Sequence, residues 1–430
     1  LHQPSTFTRQ FFQLASVNVI SNLMVPLAGL LDVMFLGHLT EIRHLAGVAL
    51  ATILFNYIYW TFGFLRMGTT GMVAQAIGRK DNQAVVLIGL QHGILALLLG
   101  ITIIILQQPL QILGFAILSA APEVKKSGIE FYNALVWGAP ATLINFVLIG
   151  WFLGQAKSSK VLLLSAIGNF SNVLLDYLFI VQFGWESKGA GLATAISQYL
   201  MFTVGIGLFC QEVSWQNIQA FQKQLFDISA IKTALMLNGE IIIRTFALIS
   251  TMAMFTNLSS SLGTEILAAN TVLMQIVGLA AYFIDGLAFA TESLAGIYQG
   301  SGNTSSLKQL LKVSLISSLI IGLTFATIFI LAPEQLLGLL TNHVEIIHKL
   351  RVYVPWLLPV LGFGSIAYAL DGYFLGLTKG HILRQAMLTA TAIGFIPLAV
   401  TAWYFHSSHL LWLSMSLFMA ARTITLARYL

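Results

Sequence analysis

Charge is what this sequence has little of. Only 9% of its 430 residues are Asp, Glu, Lys or Arg, whereas 57% are hydrophobic and mean hydropathy is +0.85. That balance excludes a water-soluble globular protein and makes the lipid bilayer the chain's solvent. Cysteine is nearly missing as well: Cys210 stands alone, which excludes an internal disulfide framework. There is no His-Glu-x-x-His metal motif, and the glycine-rich stretch Gly68–Gly78 lacks the Lys-Ser/Thr of a phosphate-binding loop. Eight of the nine histidines fall in loops or near the ends of apolar runs, leaving His92 inside. A membrane-embedded enzyme would therefore lack its nucleophile–base pair or metal cluster. The net charge of +5 is spread along the chain, which argues against a nucleic-acid partner, and no organic cofactor is called for. The chain begins at Leu1 rather than methionine, so a trimmed start is expected, and its first apolar run is too long for a signal-peptide core.

What the sequence does have is a set of long apolar runs. About 20 such residues cross roughly 30 Å of hydrocarbon as helix, and twelve runs qualify, near 11–37, 46–77, 84–107, 128–153, 161–183, 189–210, 232–258, 266–298, 309–331, 350–376, 383–404 and 408–427. They predict an all-α integral membrane protein with an N-terminal six-helix lobe (1–210), a cytoplasmic connector (211–231) and a C-terminal six-helix lobe (232–430). The connector reads either as an interfacial helix carrying Trp215, Phe221 and Phe226 or as a flexible linker.

The two lobes are copies of one unit. Gly150-Trp-Phe-Leu-Gly-Gln-Ala-Lys157 returns 222 positions later as Gly372-Tyr-Phe-Leu-Gly-Leu-Thr-Lys379, and the same offset carries Leu45 onto Leu267, Thr69 onto Thr291 and Gly78 onto Gly300. With six spans per copy, both copies enter the membrane from the same side, which predicts a pseudo-twofold axis along the membrane normal. If the N-terminus is cytoplasmic, thirteen Lys and Arg fall on inner loops and ends, among them Arg79, Lys80, Lys157, Lys379, Arg384 and Arg422, against six outside. That bias predicts both termini inside.

Few charges lie within the runs, and those few carry the chemistry. Among them are Asp32, Asp176, Glu240, Asp285, Glu292, Asp371, Arg66 and Arg244; facing lipid at mid-depth, each would cost about 2.5–3.5 kcal/mol, so they are expected to face the interior. Asp32 lies on a stripe with Asn18, Asn22 and Gly29, in a helix that Pro26 allows to bend. Desolvation disfavours a carboxylate anion, which suits Asp32 to take up and release a proton; an acid at the rim of a water-filled vestibule is the plainer alternative. Asp176 has Asn172 one turn before it, with Thr194 on the following helix. These oxygens fit a proton network, a weakly held Na⁺ or an interhelical clasp. Glu240 and Arg244, at i and i+4, read as an ion pair within one helix, with gating the alternative. Asp285 and Glu292, nearly two turns apart, point the same way, and Asp371 stands where the first copy has Ile149. Aromatics around Arg66 and Asp285 form either a cavity for apolar or cationic molecules or ordinary packing.

These motifs carry a family resemblance. The segment Pro26-Leu-Ala-Gly-Leu-Leu-Asp32-Val-Met-Phe-Leu-Gly-His38 resembles the first-helix signature of the multidrug and toxic compound extrusion (MATE) family. Arg66-Met-Gly-Thr-Thr-Gly-Met-Val-Ala-Gln75, Gly150-Trp-Phe-Leu-Gly154 and Asp285-Gly-Leu-Ala-Phe-Ala-Thr-Glu292 are similar to its DinF branch. The resemblance spans nearly the whole chain. It implies two six-helix bundles in a V, exporting small amphipathic or cationic organic molecules against a cation gradient, as a monomer in the plasma (inner) membrane or an organelle membrane. It also implies that Asp32 is the proton acceptor of the first lobe, with Asn172, Asp176 and Thr194 around it, and it puts a sodium site in the second lobe in doubt. A lipid or lipid-linked oligosaccharide flippase would share the fold but favours a larger, more cationic interior, and a passive channel would ignore an opposing cation gradient.

Overall fold

In hydrocarbon each backbone N–H and C=O must find its partner within the segment, so long apolar runs become helices. The structure, a computed structural model, describes residues 4–39, 41, 43–118, 120–213, 225, 228–332 and 344–430. Twelve helices among them are long and apolar enough to cross a membrane. They are α1 (Phe7–Gly37), α2 (Arg43–Gly78), α3 (Asn82–Ile105), α4 (Pro122–Gly154), α5 (Ser158–Gln182), α6 (Glu186–Glu212), α7 (Lys232–Ser261), α8 (Thr264–Gly300), α9 (Thr304–Leu331), α10 (Ile347–Gly376), α11 (Gly380–Tyr404) and α12 (Ser408–Ala427). Each coincides with one of the twelve expected runs, and no strand occurs among the described residues. Most of the expected connector, 211–231, lies outside the described residues.

Two compact units make up the chain: an N-terminal unit, Ile20–Ala234, and a C-terminal unit, Leu235–Leu430 together with Leu1–Val19. Helix α1 is divided between them. Its first half packs with α8, where Phe7 lies 6.1 Å from Tyr298 ring to ring and Val19 occupies the space that a side chain on Gly286 would need.

The duplication seen in the sequence is a duplication of backbone. In the N-terminal unit α2 and α3 pack on α4, and α4 and α5 on α6; in the C-terminal unit α8 and α9 pack on α10, and α10 and α11 on α12. Left-handed turn residues recur at the same offset of 222: Lys80 (φ 59°) with Gly302 (φ 68°), Ala156 (φ 57°) with Thr378 (φ 55°), and Gly184 (φ 65°) with His406 (φ 51°). Side chains seldom adopt this conformation, so its return at Ala156 and Thr378 marks one turn used twice. The repeated glycines have a mechanical reason. Gly150 and Gly154 of α4 press on the carbonyl oxygens of Arg66 and Thr70 in α2, while Gly372 and Gly376 of α10 press on those of Ala288 and Glu292 in α8. A Cβ at any of the four would collide with that oxygen, so the motif is a device for close helix packing.

Several helices depart from regular geometry. The second span is interrupted at Phe62–Gly63, and α4 and α10 pass through 3₁₀ turns at Val136–Gly138 and Val354–Trp356. Wide π turns occupy Tyr177–Gln182 of α5 and Ala390–Phe395 of α11. One further helix was not foreseen: Gln107–Ile117 buries Gln111, Gly114 and Phe115 and exposes Ile112, Leu113 and Ile117, an apolar outer surface suited to lipid.

Candidate functional site

In the N-terminal unit, α1 and α5 meet along a parallel seam. The hydroxyls of Ser21 and Ser165 are 2.6 Å apart, and eleven residues further along each helix come Asp32 and Asp176. Eleven residues make about three helical turns, so the same two faces meet again. There the two carboxyls lie within hydrogen-bonding reach of one another. Just beyond, the rings of Phe35 and Tyr177 lie 6.2 Å apart, at the start of the π turn that follows Asp176; such turns often accompany functional sites.

Burial makes this pair unusual. Asp176 is fully buried and Asp32 half-buried. Neither oxygen of Asp176, nor Oδ1 of Asp32, receives a hydrogen bond from the protein. Ionised carboxylates are acceptors only, so a bond between the two requires a proton. Beside them the Asn172 amide donates to the Thr194 hydroxyl (3.3 Å), which in turn donates to the Ala190 carbonyl (3.1 Å). The four expected coupling residues thus fall into two contacts, Asp32 with Asp176 and Asn172 with Thr194, joined by the single turn of α5 between Asn172 and Asp176.

Other expected residues are dispersed. Asn18 is buried with no protein partner for its amide, and it belongs to the C-terminal unit. Asn22 and Arg66 are half-buried. Pro26 sits within α1, which runs through it as continuous helix.

The C-terminal unit corrects the expected pairing of Glu240 with Arg244, because each finds a partner on another helix. Glu240 takes a two-pronged contact from Arg384 of α11, Nη1 to Oε1 at 3.1 Å and Nε to Oε2 at 3.0 Å. Arg244 donates to Oδ2 of Asp371 in α10, and so does Arg422 of α12. Arg422 had been counted among the charges at cytoplasmic ends, yet its side chain is 0% exposed and stacks 5.0 Å from the ring centre of Tyr368. The available signal was its position, five residues inside the last apolar run. Asp285, half-buried, is an electrostatic neighbour of Tyr282 and Tyr368, and Glu292 is fully buried. The aromatics near Asp285 and Arg66 pack on other rings: Phe283 on Phe325 at 5.1 Å, and Tyr59 on Phe55 at 5.5 Å.

One cluster escaped the sequence altogether. His44, placed above among loop and span-end histidines, is buried. Its Nδ1 meets the hydroxyls of Ser187 (2.9 Å) and Ser127 (3.2 Å), and its Nε2 meets the Glu186 carboxylate at 3.1 Å. The grouping has the elements of a Ser–His–carboxylate triad, but Ser127 and Ser187 are 3% and 0% exposed, too enclosed to attack a substrate carbonyl. It clasps the starts of α2 and α6 to α4. Glu186 is held there with φ 49°, a strained backbone for a non-glycine residue.

Comparison with known proteins places this architecture. The family model MatE matches the chain twice, at residues 18–178 and again at 241–401, one copy in each half. The chain belongs to the MatE family. It is 32% identical over 421 residues to DNA damage-inducible protein F of Escherichia coli, covering 97% of this chain and 91% of that one. It is 24% identical over 382 residues to the probable multidrug resistance protein NorM of Thermotoga maritima, covering 86% and 80%. Among solved structures, a MOP superfamily transporter from Pyrococcus furiosus superposes with a TM-score of 0.88 at 21% identity, over 98% of this chain and 95% of that one. The resemblance to the DinF branch is borne out, and family and fold are those of membrane transporters.

Proposed function

We propose that this MatE-family transporter exports small amphipathic or cationic organic molecules in exchange for protons, with Asp32 and Asp176 holding the coupling proton. The observation that carries this reading is the carboxyl pair, three of whose four oxygens are buried without a hydrogen bond from the protein. A proton placed between the two carboxyls supplies the missing donor without further ligands. In the proposed cycle a proton enters the pair from outside and cancels a charge inside α1 and α5. Helix α1 then rearranges at Pro26, substrate is released outward, and loss of the proton to the cytoplasm resets the protein. One charge moving through about 100 mV supplies about 2.3 kcal/mol, which sustains roughly a fortyfold gradient of a neutral substrate.

Substrate class rests on kinship: the Thermotoga relative is named for multidrug resistance. The proposed orientation, both termini cytoplasmic in the inner membrane, rests on the distribution of positive charge. With the buried Arg422 set aside the bias is twelve to six.

The decisive experiment reconstitutes the full chain in proteoliposomes and follows a cationic dye under an imposed H⁺ gradient, then under an imposed Na⁺ gradient. Proton coupling requires dye movement that follows the pH gradient in either direction. Movement that responds to Na⁺ alone refutes it, and movement that ignores both gradients indicates a passive pathway.

A further inference from the structure

The seam of α7 against α11 is closed at one end and open at the other. The two helices run parallel: Glu240 meets Arg384 first, and further along the hydroxyls of Thr251 and Thr391 lie 3.0 Å apart. Beyond these contacts lies a groove of about 240 Å³, lined by Met254, Asn257, Leu258, Ala399, Val400 and Trp403. At the offset of 222 the counterparts of Asn257 and Ala399 are Phe35 and Tyr177, the rings that meet 6.2 Å apart in the seam of the N-terminal unit. An amide and a methyl group stand where the other copy has two rings, and the seam is left unfilled.

Where the groove opens identifies what fills it. Val400 and Trp403, each 56% exposed, continue a stripe with Ile393 and Ile396, also exposed, so the outer face of α11 is apolar along this length, as a face against lipid is. Trp403, Tyr404 and Phe405 end that stripe as exposed aromatics, the residues that mark the boundary between hydrocarbon and water. Asn257 and Trp403 stand near the ends of their helices, and Met254 and Ala399 lie about one turn, roughly 5 Å, deeper. Water does not fill such a place: an apolar cavity of about 150 Å³ stays dry and takes up hydrocarbon. We propose that the groove binds one acyl tail of a phospholipid, in the leaflet at which α7 and α11 end. The tail lies against Met254, Leu258, Ala399 and Val400, while the Asn257 amide and the Trp403 indole N–H are donors for the ester carbonyls at its head. A free fatty acid would bring a carboxylate, and no lysine or arginine lines the groove to receive it. The tail thus takes the place that Phe35 and Tyr177 occupy in the other unit, and the inference stands apart from proton coupling.

The test uses the purified full-length protein, washed of lipid in detergent, and a phosphatidylcholine carrying a photoreactive diazirine in one tail. After irradiation, adducts are expected on the segments 254–258 and 399–403, and an excess of unlabelled phosphatidylcholine should remove them. Asn257→Phe/Ala399→Tyr, which restores the two rings of the other seam, is expected to lose these adducts and keep those elsewhere on the spans. Asn257→Leu, which keeps the size of an exposed side chain and removes its donor, is expected to weaken labelling about fivefold, equivalent to about 1 kcal/mol. Phosphatidylcholine should also raise the melting temperature of the parent more than that of the double variant. Adducts spread evenly over the spans overturn the inference, as do adducts at the groove that persist undiminished in the double variant. Displacement by free oleic acid as effective as that by phosphatidylcholine also overturns it. Should the double variant fail to fold, unchanged labelling of Asn257→Leu overturns the inference.

Discussion

Replacing one carboxylate of the buried pair separates a coupling site from a structural clasp. Asp176→Asn is the sharper perturbation, because Asp176 is fully enclosed and neither of its oxygens receives a protein donor. Two ionised carboxylates about 4 Å apart repel by roughly 4 kcal/mol at an effective dielectric of about 20. An asparagine at 176 abolishes that repulsion and offers an N–H to the Asp32 carboxylate, a charge-assisted hydrogen bond of about 1.5–3 kcal/mol. The variant should therefore be at least as stable as the parent, and more stable wherever the parent pair is fully ionised. Yet it should not couple, since the shared proton has lost one of its two acceptors. In proteoliposomes loaded with a cationic dye, efflux driven by an imposed pH gradient should vanish in Asp176→Asn and in Asp32→Asn, while both proteins melt no lower than the parent. Dye binding to the parent in weak buffer should release protons, and binding to either variant should not. Full pH-driven efflux by either variant would remove the pair from the mechanism. A fall in melting temperature of both, with transport intact, would make the pair a clasp.

Further expectations follow from the packing. Gly150→Ala and Gly372→Ala each push a methyl group into a backbone carbonyl that cannot retreat, so both should lower stability by about 1–3 kcal/mol in thermal melts; a silent substitution at either would mean that the helices do not approach so closely. His44→Ala removes the ring that joins Ser127, Ser187 and Glu186 and should cost about 2–4 kcal/mol, whereas Ser187→Ala should retain transport, as fits a clasp and not a nucleophile. Glu240→Gln breaks a pair whose side chains are 23% and 35% exposed and should cost under about 1 kcal/mol. Arg422→Gln removes one of the two guanidiniums on the buried Asp371 carboxylate and should cost more, about 3–5 kcal/mol; reversal of that order in melting temperature would contradict the burial found for each.

Helices were legible in the sequence and partnerships between them were not. A span announces itself by length and hydropathy, and the twofold offset of Gly150 and Gly372 exposes the duplicated unit, because both signals are local or exact. Grouping Asn172 with Asp176 and Thr194 needed only helical spacing and an adjacent helix. Joining Asp32 to Asp176 needed the register of α1 against α5, which no spacing within one helix reveals and which the family resemblance alone implied. Glu240 and Arg244 show the opposite failure: their i, i+4 spacing is real, but each has a stronger partner across a helix boundary, at Arg384 and at Asp371. Charge within a few residues of a helix end looks like an anchoring residue, and so Arg422 was assigned to the aqueous side. His44 was hidden because its partners lie 83 and 143 positions away.

Set against the offset of 222, the acids and arginines discussed above within the spans of one copy have uncharged counterparts in the other. Asp32 and Asp176 correspond to Met254 and Leu398; Arg244, Asp371 and Arg422 correspond to Asn22, Ile149 and Leu200; Glu240, Asp285 and Glu292 correspond to Asn18, Gly63 and Thr70. The frame has been kept where it is mechanical, at the close-packed glycines and the left-handed turns, and has diverged wherever a charge is buried. In the C-terminal unit the seam equivalent to α1–α5 is held by Glu240 with Arg384 and by a 3.0 Å contact between the hydroxyls of Thr251 and Thr391, while Met254 lines an apolar groove further along. The carboxylate at that seam, Glu240, is already matched by the Arg384 guanidinium. A device driven by a cation needs a place whose charge changes during the cycle, and a buried acid already matched by arginine is not one. On the proposed reading the Asp32–Asp176 pair is that place, and a pair holding one proton between two carboxyls predicts one proton per cycle, a stoichiometry that the dye gradient sustained at a known membrane potential will test.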